Sequence, residues 1–248
     1  MSKNKKAYLN WSSGKDALMA WHHILQDGNY DIQKLVTTVN KDFKRVSMHG
    51  VAIELLEAQA VSLQLPLHQI ALSGNVSLQT YNETMQKHTR QLIDEGFTEA
   101  VFGDIFLEDL RSYREKELRK IGLNAVFPLW KKNTTTLAQE FINLGYKAIV
   151  VCTSAKELDA SFCGREFTHD FLQDLPEGVD PCGENGEFHT FVYDGPLFKQ
   201  PVRFEKGEKI MRSYKPSNKN EEDDCFKGQT YWDNQFWYQD LLLSLIHI

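Results

Sequence analysis

Leu9-Asn10-Trp11-Ser12-Ser13-Gly14-Lys15-Asp16-Ala17-Leu18-Met19-Ala20-Trp21 is the stretch whose reading decides the fold. A short apolar run with Tyr8, Leu9 and Trp11 gives way to small and polar residues, and a helical apolar pattern begins at Ala17. The pattern predicts a strand, a tight turn and a helix. Such a turn aims backbone N–H groups and the positive end of the helix dipole at one point, which makes an anion site, most often for phosphate. Ser12, Ser13 and Lys15 add side-chain donors there, Gly14 lets the backbone approach a phosphate, and Asp16 cannot donate. The spacing is neither G-x-x-x-x-G-K-[ST] nor G-x-G-x-x-G, and a plain turn with an N-cap serine fits the same residues.

Outward from this turn, helical spacing runs from Ala17 to Gln26, Val51 to Leu63, Val76 to Glu95 and Glu108 to Ile121. Between them lie runs rich in branched or apolar residues at Ile32 to Val39, Leu67 to Leu72 and Ala100 to Asp104. Strands alternating with helices predict a doubly wound parallel α/β sheet, with ligands at the carboxyl edge where the opening turn and Gly103-Asp104 meet. After Pro128 the rhythm changes. A capped helix at Thr134 to Leu144 and strands at Lys147 to Thr153, Phe188 to Tyr193 and near Val202 to Phe204 predict a smaller α+β second domain. The expected division is 1–128, 129–214, and a polar loop with an aromatic C-terminal segment over 215–248. The aromatic cluster Tyr231, Trp232, Phe236, Trp237 and Tyr238 is expected to return to the body in a final strand or an edge contact.

Composition narrows the classes. The 248 residues are 42% hydrophobic and 25% charged, ordinary for a globular chain with a real core. No apolar run approaches the ~20 residues that span a bilayer, and a cytoplasmic location is expected. The four cysteines lack C-x-x-C pairing and read as free thiols. A net charge of −6 disfavours a dedicated nucleic-acid binder.

Two further sets carry chemistry. In Cys182-Gly183-Glu184-Asn185-Gly186-Glu187-Phe188-His189-Thr190-Phe191, strand alternation puts Glu187, His189 and Phe191 on one face and Phe188 and Thr190 on the other. An acid and an imidazole beside a glycine turn bearing Glu184 suit a cation, a polar substrate or proton transfer; a hairpin with a polar outer face fits too. Asp104, at the sheet edge, suits magnesium or a ribose hydroxyl. Arg111, Arg114 and Arg119 follow it on a polar helix, where arginines are usually solvated.

Ser12-Ser13-Gly14-Lys15-Asp16 resembles the S-G-G-K-D-S pyrophosphate loop of the PP-loop ATP pyrophosphatases, the adenine nucleotide alpha hydrolase fold. Phe102-Gly103-Asp104-Ile105 with Tyr113-Arg114-Glu115, Gly122-Leu123 and Pro128-Leu129-Trp130, and the block Gly183 to Thr190 with Asp194-Gly195-Pro196, resemble the branch containing diphthine ammonia ligase. That branch carries an E-x-G-E-F-E-T block, and the chain looks like its bacterial-type members. Ser13 stands where the loop's first glycine is usual, Ala17 where Ser or Thr is, and His189 where the block has its third acid.

The resemblance implies ATP bound by Ser12, Ser13, Gly14, Lys15, Asp16, Gly103 and Asp104, with Mg2+ on Asp16 and Asp104. It implies that an acceptor oxygen attacks the α-phosphorus of ATP and that ammonia then displaces AMP. Lys15 and Asp16 would act at the phosphates, and Glu184, Glu187 and His189 would orient the acceptor or ammonia or take a proton. The acceptor is expected to be a small molecule or protein-borne, and a homo-oligomer is left open. Rival readings are a tRNA-modifying adenylating enzyme, which the acidic balance argues against, and a nucleotide sensor without turnover.

Overall fold

The structure is a computed structural model that describes residues 4–46, 49–74, 76–213 and 235–244. Its first half runs β1 (Lys5–Asn10), α1 (Lys15–Asp27), β2 (Tyr30–Asn40), β3 (Arg45–Val46), α2 (Ile53–Ser62), β4 (Leu67–Leu72), α3 (Leu78–Asp94), β5 (Glu99–Val101), α4 (Glu108–Lys120) and β6 (Asn124–Val126). Strands β4, β2, β1, β5 and β6 lie side by side in that order, all parallel, and β3 adds a short antiparallel pairing at the end of β2. This is the doubly wound α/β sheet expected from the alternating pattern. β6, where no strand was expected, is its fifth parallel member.

Strand β1 shows why the sequence must fold this way. Ala7 and Leu9 enter one core, shared with Leu18, Trp21, Leu55 and Leu56 of α1 and α2, while Tyr8 enters the other. An uninterrupted apolar run is stable only in a sheet covered on both faces. On the second face Tyr8 meets Phe97 edge-on at 6.0 Å, beside Leu92 of α3 and Leu118 of α4.

The chain leaves β1 toward β2 on one side, and β5 lies on the other, so the winding reverses between β1 and β5. At such a reversal the strand ends open a crevice. Asn10 fastens its floor by donating from Nδ2 to the Val101 carbonyl at 3.0 Å.

The second half runs α5 (Thr134–Asn143), β7 (Lys147–Ser154), α6 (His169–Gln173), β8 (Phe188–Asp194), β9 (Phe204–Ser213) and β10 (Gln235–Leu243). Its sheet is antiparallel in the order β8-β7-β10-β9. Phe236, Trp237 and Tyr238 sit in β10, the expected aromatic return; Tyr231, Trp232 and the polar stretch before them lie outside the described residues. Cys152, Cys163 and Cys182 are free and buried. Among the described residues no helix is long and apolar enough to cross a membrane.

Helix α3 docks on β4 partly through an imidazole pair, His68 Nε2 and His88 Nδ1 2.8 Å apart. Burial lowers both pKa values, with His88 and Lys34 adding to the effect on His68 and Lys87 to that on His88. Protons therefore bind the unfolded chain better. Stability is full above the ordinary imidazole value of 6.5 and falls as pH drops through the depressed folded values. Denaturant titrations of a His68→Asn, His88→Gln double variant should show a shallower acid loss than the parent; equal slopes would assign the loss to other groups.

Candidate active site

The turn after β1 is built from both halves of the chain. Helix α1 starts at Lys15, and Gly14 is its N-cap, without a side-chain hydrogen bond, so no serine caps it. Ser13 lies in the left-handed region at φ 70°, where a glycine is the easy residue. Its side chain is buried, and Oγ makes no hydrogen bond among the described residues.

The Ser13 carbonyl accepts from the Val192 N–H of β8 at 2.9 Å and from Gln59 Nε2 of α2 at 3.1 Å. Gln59, wholly buried, also donates to the Val192 carbonyl at 2.5 Å and accepts from Trp11 Nε1 at 3.0 Å. One amide of α2 thus joins the turn that follows β1 to β8.

Lys15 N–H donates to Thr190 Oγ1 at 3.1 Å, and a Cβ on Gly14 would lie 3.2 Å from the Thr190 carbonyl oxygen. The second sheet's edge strand therefore presses directly on the turn. The Lys15 ammonium is buried, 2.9 Å from both Asp16 oxygens, hydrogen-bonded to the Cys182 carbonyl and 5.4 Å over the Phe188 ring. Burial pulls its pKa down, but the Asp16 carboxylate, with Cys182 and Glu184, more than offsets this, and the amine stays charged. From the far side Gly103 meets the same turn: a Cβ there would stand 2.8 Å from the Asp16 carbonyl carbon and 2.9 Å from the Ala17 nitrogen.

Acids rim the crevice. Asp104 pairs with Arg114, and burial raises its pKa against that guanidinium. Glu184 reaches across from the second half, where Oε1 accepts from Ile105 N–H at 2.6 Å and Phe106 N–H at 3.3 Å. Burial first, then Asp16 and Asp104, push Glu184 up to about 7 although the two N–H bonds oppose the shift. A carboxyl near that value is half ionised at neutral pH and suits proton transfer.

The remaining expected site residues lie elsewhere in this small region. Glu187 is turned into its own loop, where it accepts from Asp180 N–H, Asn185 N–H and Asn185 Nδ2 at 3.0, 3.0 and 2.9 Å. His189 lies against His49, ring centres 4.3 Å apart, while its neighbours Phe188 and Thr190 face the turn. Burial, then His49 and Lys15, hold its pKa well below the usual imidazole range. The structure thus gathers Ser12, Ser13, Gly14, Lys15, Asp16, Gly103, Asp104 and Glu184, and adds Gln59, Thr190 and the Cys182 carbonyl. Gln59 was visible as a polar residue inside the apolar stripe Leu56, Ala60, Leu63; nothing in the sequence marks a carbonyl.

Residues 5–125 match the diphthamide synthase N-terminal domain and residues 133–218 the diphthamide synthase C-terminal domain. The chain belongs to the diphthamide synthase family. Its relatives include proteins named diphthine–ammonia ligase. The mouse protein is 28% identical over 64% of this chain and 65% of its own length, and the bovine one is 31% identical over 46% and 45%. The Schizosaccharomyces pombe protein is 25% identical over 82% of this chain and 36% of its own length. The chain therefore matches less than two thirds of these relatives' lengths.

Two substitutions probe the turn. Gln59→Leu strands the Trp11 N–H and a share of the Val192 carbonyl and should cost about 2–4 kcal/mol, lowering Tm by roughly 2–4 °C per kcal/mol. Ser13→Gly relieves the left-handed serine and should add about 1 kcal/mol, less the extra freedom glycine gives the unfolded chain. Thermal unfolding reads both signs, and a Ser13→Gly variant less stable than the parent would show that the turn is not strained.

Proposed function

We propose that the chain is an ATP-dependent ligase of the diphthine ammonia ligase type. The observation that carries this reading is that a charged lysine on an anion turn, two acids and a carboxyl poised near neutrality share the crevice where the sheet reverses. In this reading residues 1–128 bind ATP and 129–214 shape the acceptor site. The turn from Ser12 to Asp16, Lys15 and the start of α1 hold the pyrophosphate end of ATP and stabilise the negative charge that grows on it as it leaves.

The donor set fits a magnesium ion. Asp16, in the first turn of α1, and Asp104, just after β5, would supply two carboxylates, and magnesium is usually held by one or two carboxylates together with substrate phosphates. Bound there, the ion would neutralise phosphate charge.

An acceptor carboxylate oxygen bonds to the α-phosphorus, the α–β bridging bond breaks, and pyrophosphate departs with its electron pair. Ammonia then bonds to the acyl carbon, AMP leaves, and one proton is released. Glu184 takes that proton. Thr190 fixes the turn by accepting the Lys15 N–H, and Glu187 and His189 act from the second rank, the one bracing the loop that carries Glu184 and the other packed beside His49.

Incubation with labelled ATP, magnesium, ammonium and carboxylic acids should yield AMP and pyrophosphate; ADP without AMP would overturn the adenylation step. Gly103→Ala, whose methyl group strikes the turn's backbone, should weaken ATP binding by about tenfold or more by calorimetry. Turnover should rise with pH through about 7 as Glu184 ionises. Glu184→Gln should remove that limb while ATP still binds. The raised pKa also means that ionising Glu184 opposes folding, so parent stability should fall relative to Glu184→Gln between the ordinary carboxyl value of 4.5 and about 7.

A further inference from the structure

Helix α4 buries no residue completely, yet it is fastened over the ends of β5 and β6 by an alternating stack of guanidinium groups and rings. Arg114 lies 4.4 Å over Phe102, Phe102 stacks on Phe127 at 5.3 Å and 18°, and Arg111 lies 5.2 Å over Phe127 and 4.5 Å over Trp130. The stack begins beside the crevice, because Arg114 pairs with Asp104 and the Ile105 carbonyl accepts from Lys131 N–H, one residue beyond Trp130. Arg111 donates Nε to Glu115 at 2.7 Å, and both arginine side chains are about 30% exposed.

We infer that Arg111 and Arg114, packed over the rings of Phe102, Phe127 and Trp130, form a binding site for the carboxylate of an organic acceptor. The inference deepens the ligase reading and rests on it, and it puts the acceptor's carboxylate end on the first half, at its border with residues 129–214. A guanidinium carries five donors in a rigid fork, and each of these two commits part of that fork to one acid. The rings and the paired acids together limit where each fork can move, and a planar anion can then meet parallel N–H groups with little further ordering. The apolar rings beside the forks suit the carbon stem of such an acceptor.

Charge decides between a carboxylate and a polyphosphate. Asp104 and Glu115 each pair with one of the two arginines, so the paired charges cancel and a multiply charged phosphate chain gains little there. The anion turn with Lys15 already offers that chain its place. A singly charged, flat group is what the stack selects.

The test is direct binding to the full chain, with butanoate and its neutral isostere butanamide as probes. Binding is read from the nuclear magnetic resonance signals of the Trp130 indole N–H and the Arg111 and Arg114 Nε–H groups. Butanoate should shift these signals with a millimolar Kd, as expected for so small a ligand, and butanamide should bind at least about tenfold more weakly. Arg114→Lys and Arg111→Lys keep the charge but lose the fork. Each should weaken butanoate by about tenfold while ATP affinity stays within about twofold, which a purely structural role for the stack does not produce.

Equal response to the two probes, no response at about 100 mM, or Lys variants that lose ATP instead of butanoate would each overturn the inference. The readout is binding, not turnover. A failure here leaves AMP formation to be judged by its own assay, and a failure of AMP formation with butanoate bound leaves the anion site standing without the ligase.

Discussion

Everything at the site depends on one buried side-chain amide. Gln59 satisfies the Trp11 indole, the Ser13 carbonyl and the Val192 carbonyl from a position with no solvent exposure. In water each of these groups would find a partner at little cost; in the core an orphan costs about 1–3 kcal/mol. Only one relative placement of β1, α2 and β8 meets all of them. The amide therefore acts less as a source of net stability than as a selector among packings that a purely apolar contact would leave nearly equal.

The same logic explains how an anion turn survives so many carboxylates. Asp16 lies against Lys15 and Asp104 against Arg114, so two of the three crevice acids have an adjacent cation. Glu184 makes no ion pair among the described residues and accepts backbone N–H groups instead, though its charge acts on Lys15. Burial raises the pKa of all three acids, that of Glu184 to about 7. The backbone N–H groups oppose that rise in Glu184, as Lys15 opposes it in Asp16 and Arg114 in Asp104.

Much of this was legible beforehand. Alternating apolar periods gave the parallel sheet, and the small residues after β1 together with Gly103-Asp104 gave its carboxyl edge. β6 escaped notice because Asn124, Ala125 and Val126 make three residues, too short for alternation to show. Glu187 and His189 looked alike because strand periodicity puts them on one face, but Glu187 precedes β8 and belongs to the loop, where Asp180 and Asn185 offer it N–H groups closer than the crevice. Thr190 was read only as the residue on the opposite face. That face proved to be the one that meets the turn, a fact set by how two sheets dock and therefore absent from any local pattern.

Ser13 carries the last step. A serine at φ 70° with a buried, unpartnered hydroxyl is disfavoured twice, by backbone strain and by desolvation, and no contact within β1 or α1 offsets either. What holds it lies outside that segment, in the Val192 N–H and the Gln59 amide on its carbonyl, and in the Thr190 hydroxyl on the next amide but one. The conformation is thus imposed by the second sheet. A glycine there would let the turn form by itself; the serine makes its shape conditional on β8 being docked. The shape of the turn is in this way tied to a single structural feature, the packing of β8 against Gly14.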